Sequence, residues 1–279
     1  MNNDNQTTTI EAPPEVNPFA ERAAAEAAKP RKASILDSVT VRKRRRPVFG
    51  VLYGQPGIGK STFAASLPKP IVIATERLDQ ISVPKLPVPR DFKGLYDQID
   101  ALDKEQHDYE SIALDTLDAA ELLIWQRVCS EGKVKSIEEY AGGYGKGYVR
   151  ARELWTGLLS KLSEMSERFN VLLIAHAHVK SFADPSLSAP YDLWKMKIHD
   201  KSAEIIRQMV DLIMFANLDT TIQKETPKAR KGRGIVSGDR VLWTQPATGY
   251  EAKNRYDLES PLEFSWEALA DGINKFYDR

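Results

Sequence analysis

Short apolar runs alternate with amphipathic stretches from about residue 47 to the end of the chain. Near-continuous apolar runs are typical of strands that are buried on both faces of a parallel sheet. The sequence therefore predicts strands at Val48–Tyr53, Ile71–Ala74, Ile112–Leu114, Val171–Ala175, Leu212–Ala216 and Val241–Trp243.

Between these runs, apolar residues recur with the period of an α-helix. Strands that alternate with helices predict an α/β fold, with a mostly parallel, twisted sheet and helices on both faces. Two later runs, Leu212–Ile222 and Arg240–Gln245, predict a hairpin whose polar tip carries Lys224, Lys228, Arg230, Lys231 and Arg233. Helices are predicted at Lys60–Leu67, Asp91–Leu102, Asp118–Ser130, Gly147–Arg168, Lys201–Met209 and Ser265–Phe276.

The first 46 residues have a different composition from the rest. The segment from Lys29 to Arg46 holds eight basic residues and one acid, and the preceding stretch has no sustained apolar period. Such a segment buries too little apolar surface to offset its ordering entropy. We therefore expect a flexible basic arm at residues 1–46 and a core domain at 47–279. The arm is interpreted either as a solvated flank or as a contact to a phosphate backbone.

Composition narrows the class of protein. Lys and Arg together number 39, as do Asp and Glu, which excludes a globally basic nucleic-acid binder but not a local basic patch. The single cysteine, Cys129, cannot form an internal disulfide. The apolar runs are too short to span a bilayer, and the amino terminus lacks a signal-peptide layout. We expect a cytoplasmic protein with no membrane contact.

The segment that follows the first predicted strand matches the motif G-x-x-x-x-G-K-[ST] between a strand and a helix. Such a loop turns its backbone N–H groups toward phosphate oxygens. Lys60 is expected to reach the β- and γ-phosphates of ATP, and the Ser61 hydroxyl to bind Mg²⁺. The predicted nucleotide-binding residues are Gly54, Gln55, Pro56, Gly57, Ile58, Gly59, Lys60, Ser61 and Thr62.

Polar residues end three other predicted strands. Asp115 is expected to hold Mg²⁺ through water, the alternative being a helix N-cap. Glu76 is the predicted general base for the attacking water, the alternative being an exposed loop residue, with Asp118 as a substitute base. His176 is expected to sense the γ-phosphate, the alternative being a histidine packed at the rim of the sheet.

Together, these features resemble the RecA-like core ATPases. More narrowly, they resemble the phage-encoded AAA-type P-loop family that includes the Sak-type single-strand annealing proteins. The resemblance covers the chain from Pro47 onward and rests on GQPGIGKST, ALDTLDAAE, LLIAHAHVK and EAKNRYDL. It implies a RecA-like fold, an ATPase with its catalytic Glu after the second strand, as at Glu76, and a sensor at His176 in place of the usual Gln.

The resemblance also implies an assembly. Lys253 and Arg255 are similar to the Lys-x-Arg element that RecA-like rings and filaments insert into a neighbour's nucleotide site, where Arg255 would stabilise charge on the γ-phosphate. The expected state is a homo-oligomer, ring or filament, in the cytoplasm of the host cell. A basic surface strand is the alternative for these two residues.

In RecA-like proteins, the loops that follow the third-strand helix and the fourth strand bind single-stranded DNA. Here they correspond to Ala141–Arg152 and Lys180–Lys201, where aromatic residues stand among cations, although a glycine hinge and a helix start are the alternative. The predicted DNA-binding residues are Tyr144, Lys146, Tyr148, Arg150, Lys180, Lys195, Lys197 and Lys201.

The resulting hypothesis is a DNA-stimulated ATPase of phage recombination that anneals or loads single strands, with a single-strand-binding protein as a further partner. The alternatives are a P-loop motor for packaging or replication and, less well supported, a small-molecule kinase. A kinase lid would need several arginines, and residues 77–110 hold only Arg77 and Arg90.

Overall fold

A computed structural model describes residues 35–39, 41, 43–184, 188–223 and 233–279. The chain divides into a unit at Met1–Arg44 and a compact unit at Arg45–Arg279. In the first unit the described part includes one 3₁₀ turn, Ile35–Ser38, and most of the predicted arm lies outside the described residues. The compact unit starts just before the predicted boundary, because Arg45 donates a hydrogen bond to Asn274 and Arg46 to Glu167.

The strands of the compact unit join in the order β10-β8-β7-β1-β5-β4-β2-β3, with β6 paired to β5 and β9 to β7. The strands are β1 (Phe49–Gly54), β2 (Pro70–Ala74), β3 (Lys85–Leu86), β4 (Ser111–Asp115), β5 (Asn170–Phe182), β6 (Tyr191–Met196), β7 (Leu212–Gln223), β8 (Arg233–Trp243), β9 (Lys253–Asn254) and β10 (Leu262–Glu263).

The five central strands, β7-β1-β5-β4-β2, run parallel. In register, Gly54 lies between His176 and Ala216, and Asp115 lies beside Ala74. The carboxyl ends of these strands therefore meet along one edge, where parallel α/β sheets bind ligands. The prediction of a mostly parallel sheet of the RecA-like P-loop type is confirmed.

Helices cover both faces of the sheet, as predicted. Residues of α2–α5 share one buried cluster with the sheet, while α1 and α6 pack into a second cluster on the other face. None of the described helices is long and apolar enough to cross a bilayer. The helices are α1 (Lys60–Ala65), α2 (Phe92–Lys104), α3 (Leu117–Gly132), α4 (Lys146–Met165), α5 (Asp200–Met209) and α6 (Trp266–Asp278).

The segment Lys180–Lys201, expected to be a DNA-binding loop, is largely regular structure, so that part of the prediction was wrong. In the other segment, helix α4 begins at Lys146, and Tyr148 and Arg150 lie on the helix predicted at Gly147–Arg168. Strand β5 continues to Phe182 and pairs antiparallel with β6. Helix formation and antiparallel pairing satisfy the backbone N–H and C=O groups of both segments, which a loop would leave to water.

The late hairpin is confirmed, because β7 and β8 pair antiparallel from Phe215 with Trp243 to Gln223 with Arg233. Its register shifts between Leu218 and Thr220. The basic tip, including Lys224, Lys228, Arg230 and Lys231, lies outside the described residues.

Candidate nucleotide-binding site

The phosphate-binding loop connects β1 to α1 at the carboxyl edge of the sheet. A methyl group on Gly54 would lie 2.5 Å from the Ala216 carbonyl oxygen, so this position admits only glycine. Gly59 has a φ of 104°, in the left-handed region that favours glycine. Gln55, Pro56 and Gly57 are exposed, and Thr62 is exposed on α1, while Ile58 is buried in the core. The loop backbone is thus open to a ligand and anchored by one apolar side chain.

Lys60 is buried at the base of this loop. Its Nζ donates hydrogen bonds of 3.0 Å to the carbonyl oxygens of Gly54 and Gln55. Burial lowers its pKa, although the charges of Asp115, Asp118 and Glu76 act in the opposite direction. The ammonium group is therefore fixed beside the loop, where a phosphate oxygen could replace either carbonyl as its acceptor.

Asp115 and Ser61 form the candidate magnesium site. The Ser61 hydroxyl donates a 2.5 Å hydrogen bond to Asp115 Oδ2, while Oδ1 is buried and has no hydrogen-bond partner among the described residues. Burial raises the pKa of Asp115, and the negative charge of Glu76 raises it further. A buried carboxylate oxygen without a donor, next to a hydroxyl, fits Mg²⁺, which prefers few protein ligands together with water and nucleotide phosphates.

Glu76 directly follows Thr75, which ties the end of β2 to the end of β4. The Thr75 hydroxyl accepts from the Thr116 backbone N–H at 2.6 Å and donates to the Thr116 carbonyl at 2.9 Å. The negative charge of Glu76 raises the pKa of both Asp115 and His176. Glu76 therefore follows the end of β2, where Ala74 pairs with Asp115 of the candidate magnesium site.

His176 ends the apolar part of β5 beside Gly54. Its Nδ1 lies 2.8 Å from Asp118 Oδ2, and its backbone N–H donates to Asp118 Oδ1 at 3.1 Å. The hydrogen bond to Asp118 raises the pKa of His176, while burial lowers it. Sequence reasoning considered Asp118 only as a substitute base and missed its role as the partner of His176. The signal for this role in the sequence was the position of Asp118, three residues after Asp115.

The structure brings neither Lys253 nor Arg255 to the phosphate loop of its own chain. Strand β9 pairs with the first residues of β7, at the amino edge of the sheet, opposite Gly54. The Lys253 Nζ donates to the carbonyls of Arg207 at 2.6 Å and Val210 at 2.7 Å, at the end of α5. Arg255 Nη1 donates to Asp211 Oδ1 at 2.7 Å. Within its own chain Lys253 therefore caps the end of α5, and its predicted contact with a neighbour's nucleotide stays a prediction.

Three of the predicted DNA-binding cations are engaged in ion pairs. Arg150 is held by Glu131 and Glu153, whose hydrogen bonds raise its pKa. Lys195 is half-buried, 3.1 Å from Glu251, and Lys180 pairs with Asp200 at 2.5 Å. The other predicted residues are Tyr144, Lys146, Lys197 and Lys201, which are exposed, and Tyr148, which stacks on His199 with a centroid distance of 4.3 Å.

A comparison with family models gives one match, described as an AAA domain, over residues 46–256. The chain belongs to the AAA-domain family. The resemblance to P-loop ATPases seen in the sequence is thereby confirmed at this level. AAA proteins of the P-loop type bind nucleotide, usually together with Mg²⁺, which fits the Ser61 and Asp115 pair.

Among solved structures, this AAA-domain protein is similar to the flagellar accessory protein FlaH from Methanocaldococcus jannaschii. The TM-score is 0.31 and the identity 10%, over 75% of this chain and 90% of the FlaH chain. A comparison with curated proteins gives no match.

Proposed function

We propose that this AAA-domain protein hydrolyses ATP in response to single-stranded DNA, and anneals or loads strands as the Sak-type phage recombination proteins do. The observation that carries the proposal is an exposed aromatic and basic surface that hydrogen-bonds to the predicted γ-phosphate sensor. We call it the Tyr144 surface and define it as Tyr144, Lys146, Lys197 and Lys201.

The Tyr144 surface combines the two features that single-strand binding needs. The Tyr144 side chain is 99% exposed, which leaves both ring faces free for a base to stack. Lys146 stands two residues after Tyr144, and a methyl group on the intervening Gly145 would lie 3.9 Å from Lys201 Nζ. Ammonium groups near an exposed ring suit a strand whose phosphates pass beside stacked bases.

Two hydrogen bonds connect Lys197 of this surface, and His199 between Lys197 and Lys201, to residues near the predicted ATP site. The backbone N–H of Lys197 donates to the His176 carbonyl at 2.8 Å. The backbone N–H of His199, whose ring stacks on Tyr148, donates to Glu121 on α3 at 2.9 Å. The same helix carries Asp118 near its first turn, and Asp118 binds His176. A shift of His176 toward a γ-phosphate would therefore be transmitted to Lys197 and, through α3, to His199.

The site residues support a direct hydrolysis mechanism. Lys60 and the loop N–H groups would hold the β- and γ-phosphates. Ser61 and Asp115 would hold Mg²⁺, which would supply positive charge to these phosphates. Glu76 orients a water molecule and accepts its proton as the water oxygen bonds to the γ-phosphorus. The bond between the γ-phosphorus and the β–γ bridging oxygen breaks, which releases ADP and phosphate.

A neighbouring subunit completes the site in this proposal. The Arg255 side chain is 54% exposed at the amino edge of the sheet, away from its own phosphate loop, so it is accessible to a second copy of the chain. A guanidinium supplied by the neighbour would stabilise charge on the γ-phosphate and tie hydrolysis to assembly.

Phosphate release from ATP, measured with and without oligo(dT), tests the proposed function. We expect the wild-type rate to rise when DNA is added. Tyr144→Ala and Lys201→Ala should lose this stimulation but keep the DNA-free rate. Lys275→Ala, which removes an exposed lysine from α6 on the other face of the sheet, is the matched control. A DNA-independent rate, with transfer of the phosphate to a nucleoside or metabolite, would indicate a kinase instead.

A further inference from the structure

Strand β8 brings an arginine to the phosphate loop of the same chain. Arg240 pairs with Leu218 of β7 and lies two residues before Leu242. Side chains two positions apart on a strand share a face, and Leu242 is buried in the cluster that includes Phe63 of α1. Arg240 therefore projects from the face of the sheet on which α1 and the phosphate loop lie.

The guanidinium reaches Gly59 itself. A methyl group on Gly59 would lie 2.7 Å from Arg240 Nη1 and 3.7 Å from its Cζ. The ring of Phe264 would be 3.4 Å from the same methyl group. This ring packs on the ring of Phe63, with a centroid distance of 5.2 Å. Gly59 is thus covered by one cation and one aromatic ring, both from elements far along the chain.

The charge of Arg240 is not neutralised by an ion pair within the described part of the chain. Its side chain is exposed and borders a cavity of about 610 Å³, which Asp239, Glu263 and Phe264 also line. In the same loop, Lys60 Nζ donates to the carbonyls of Gly54 and Gln55. Two cations therefore lie against the backbone that binds phosphate in P-loop proteins.

We propose that Arg240 binds the phosphates of the nucleotide held by the P-loop of its own chain. The inference rests on the proposed ATP site and names a contact that the sequence motif does not contain. A guanidinium with two parallel N–H donors matches two phosphate oxygens, and such charge-assisted pairs are stronger than neutral hydrogen bonds. Because β8 forms the hairpin with β7, nucleotide binding would also fix the position of that hairpin relative to α1.

Calorimetric titration with ATP and with inorganic tripolyphosphate tests this contact in the full-length protein. We expect Arg240→Ala to weaken the binding of both ligands about tenfold or more, and Arg240→Lys to weaken it less. Arg279→Ala is the matched control, because it removes another exposed arginine, which pairs with Asp257 near the end of the chain. Its affinities should equal those of the wild type.

Each other result overturns the inference in its own way. Unchanged affinity for both ligands would make Arg240 a surface residue, and tighter binding would make it an obstruction of the loop. Weaker binding of ATP with unchanged binding of tripolyphosphate would place Arg240 on the nucleoside. Wild-type protein that binds neither ligand would refute the proposed ATP site itself, and this result is distinguished from the others by the wild-type titration alone.

Discussion

Three carboxylates and two basic side chains lie near the carboxyl edge of the sheet. Asp115 uses one oxygen for Ser61, and Asp118 is occupied by His176. Glu76 takes part in neither of these hydrogen bonds. Its negative charge nevertheless raises the pKa of both Asp115 and His176. Among the three, Glu76 is therefore best placed to accept a proton from water.

The first prediction concerns this proton transfer. Glu76→Gln keeps the size of the side chain but removes its basicity, so ATP affinity should be retained and turnover should fall roughly 10²–10⁴-fold. Lys60→Ala, in contrast, should abolish binding because it removes the cation that faces the phosphates. Single-turnover phosphate release and ATP titration measure the two effects separately. Normal hydrolysis by Glu76→Gln would remove it as the base.

The second prediction concerns the pH dependence of folding through His176 and Asp118. The raised pKa of His176 means that its contribution to stability is complete below its unfolded value of about 6.5 and is lost as pH rises through the folded value. Burial raises the pKa of Asp118, but the hydrogen bonds from His176 give a net lowering, so its contribution is lost as pH falls. The pair is fully stabilising between about pH 4 and 6.5.

Asp118→Asn should therefore lower the free energy of unfolding by about 1–2 kcal/mol at slightly acidic pH. The loss should be smaller at alkaline pH. Urea denaturation at several pH values measures this difference. Asp97→Asn, which disrupts an exposed pair with Lys93, should have a small effect at every pH. A cost for Asp118→Asn that is constant or grows with pH would contradict the assigned charge state.

Helix α3 connects the predicted ATP site to His199, which lies between Lys197 and Lys201 in the chain. Asp118 and Glu121 stand on it three positions apart, a spacing that places both on one face. Asp118 binds His176 of β5, and Glu121 accepts from the His199 backbone N–H at the start of α5. Glu121 is buried, and its Oε1 has no hydrogen-bond partner among the described residues. Movement of α3 would therefore displace both contacts together.

The third prediction concerns the start of α4, beside which Tyr144 lies. A methyl group on Gly147 would be 2.0 Å from the Ile137 carbonyl oxygen, so Gly147→Ala must push the helix away. We expect a loss of about 1–3 kcal/mol in the free energy of unfolding, together with weaker binding of oligo(dT). Denaturant unfolding and fluorescence anisotropy measure the two effects.

Gly157 provides the matched control on the same helix. A methyl group there meets nothing within 4 Å, so Gly157→Ala should gain about 0.5–1 kcal/mol from helix propensity alone. DNA binding should be unchanged in this variant. If Gly147→Ala were as stable as Gly157→Ala, the close approach of α4 to Ile137 would not exist in solution.

The limits of sequence reasoning follow from how far apart in the chain the contacting residues are. The phosphate loop, Asp115 and the end of β5 could be predicted, because each is a local strand followed by a polar residue. The contact of Asp118 with His176 joins residues 58 apart, and that of Arg240 with Gly59 depends on how β8 pairs with β7. The edge at which Arg255 lies depends on the pairing of β9 with the start of β7. No local pattern specifies these pairings.

The two edges of the sheet carry different chemistry, and this bears on assembly. Strand β1 has six residues, so about 17 Å of strand separates the phosphate loop from the edge where Arg255 lies. An arginine at that distance cannot reach the γ-phosphate of its own chain. If Arg255 takes part in hydrolysis, head-to-tail contact with another copy must supply it, and such contacts produce rings or helical filaments.

Mixing two inactive variants tests this arrangement. Lys60→Ala protein lacks a working phosphate loop but keeps Arg255, and Arg255→Ala protein has the opposite defect. In a random head-to-tail mixture, about a quarter of the interfaces pair an intact loop with an intact arginine. We therefore expect partial recovery of phosphate release on mixing, and a wild-type rate per subunit that rises with protein concentration.

A structural role for Arg255 gives different results, and Asp211 separates the two cases. Asp211→Asn removes the charged partner of Arg255 but leaves the guanidinium in place. A catalytic arginine supplied in trans requires that Asp211→Asn keep its ATPase activity, because release from Asp211 frees the guanidinium for the neighbour. A merely structural pair requires that Asp211→Asn and Arg255→Ala lose activity equally. That outcome, with no recovery on mixing and a concentration-independent wild-type rate, would establish a monomeric ATPase in which Arg255 serves only to hold the start of β7.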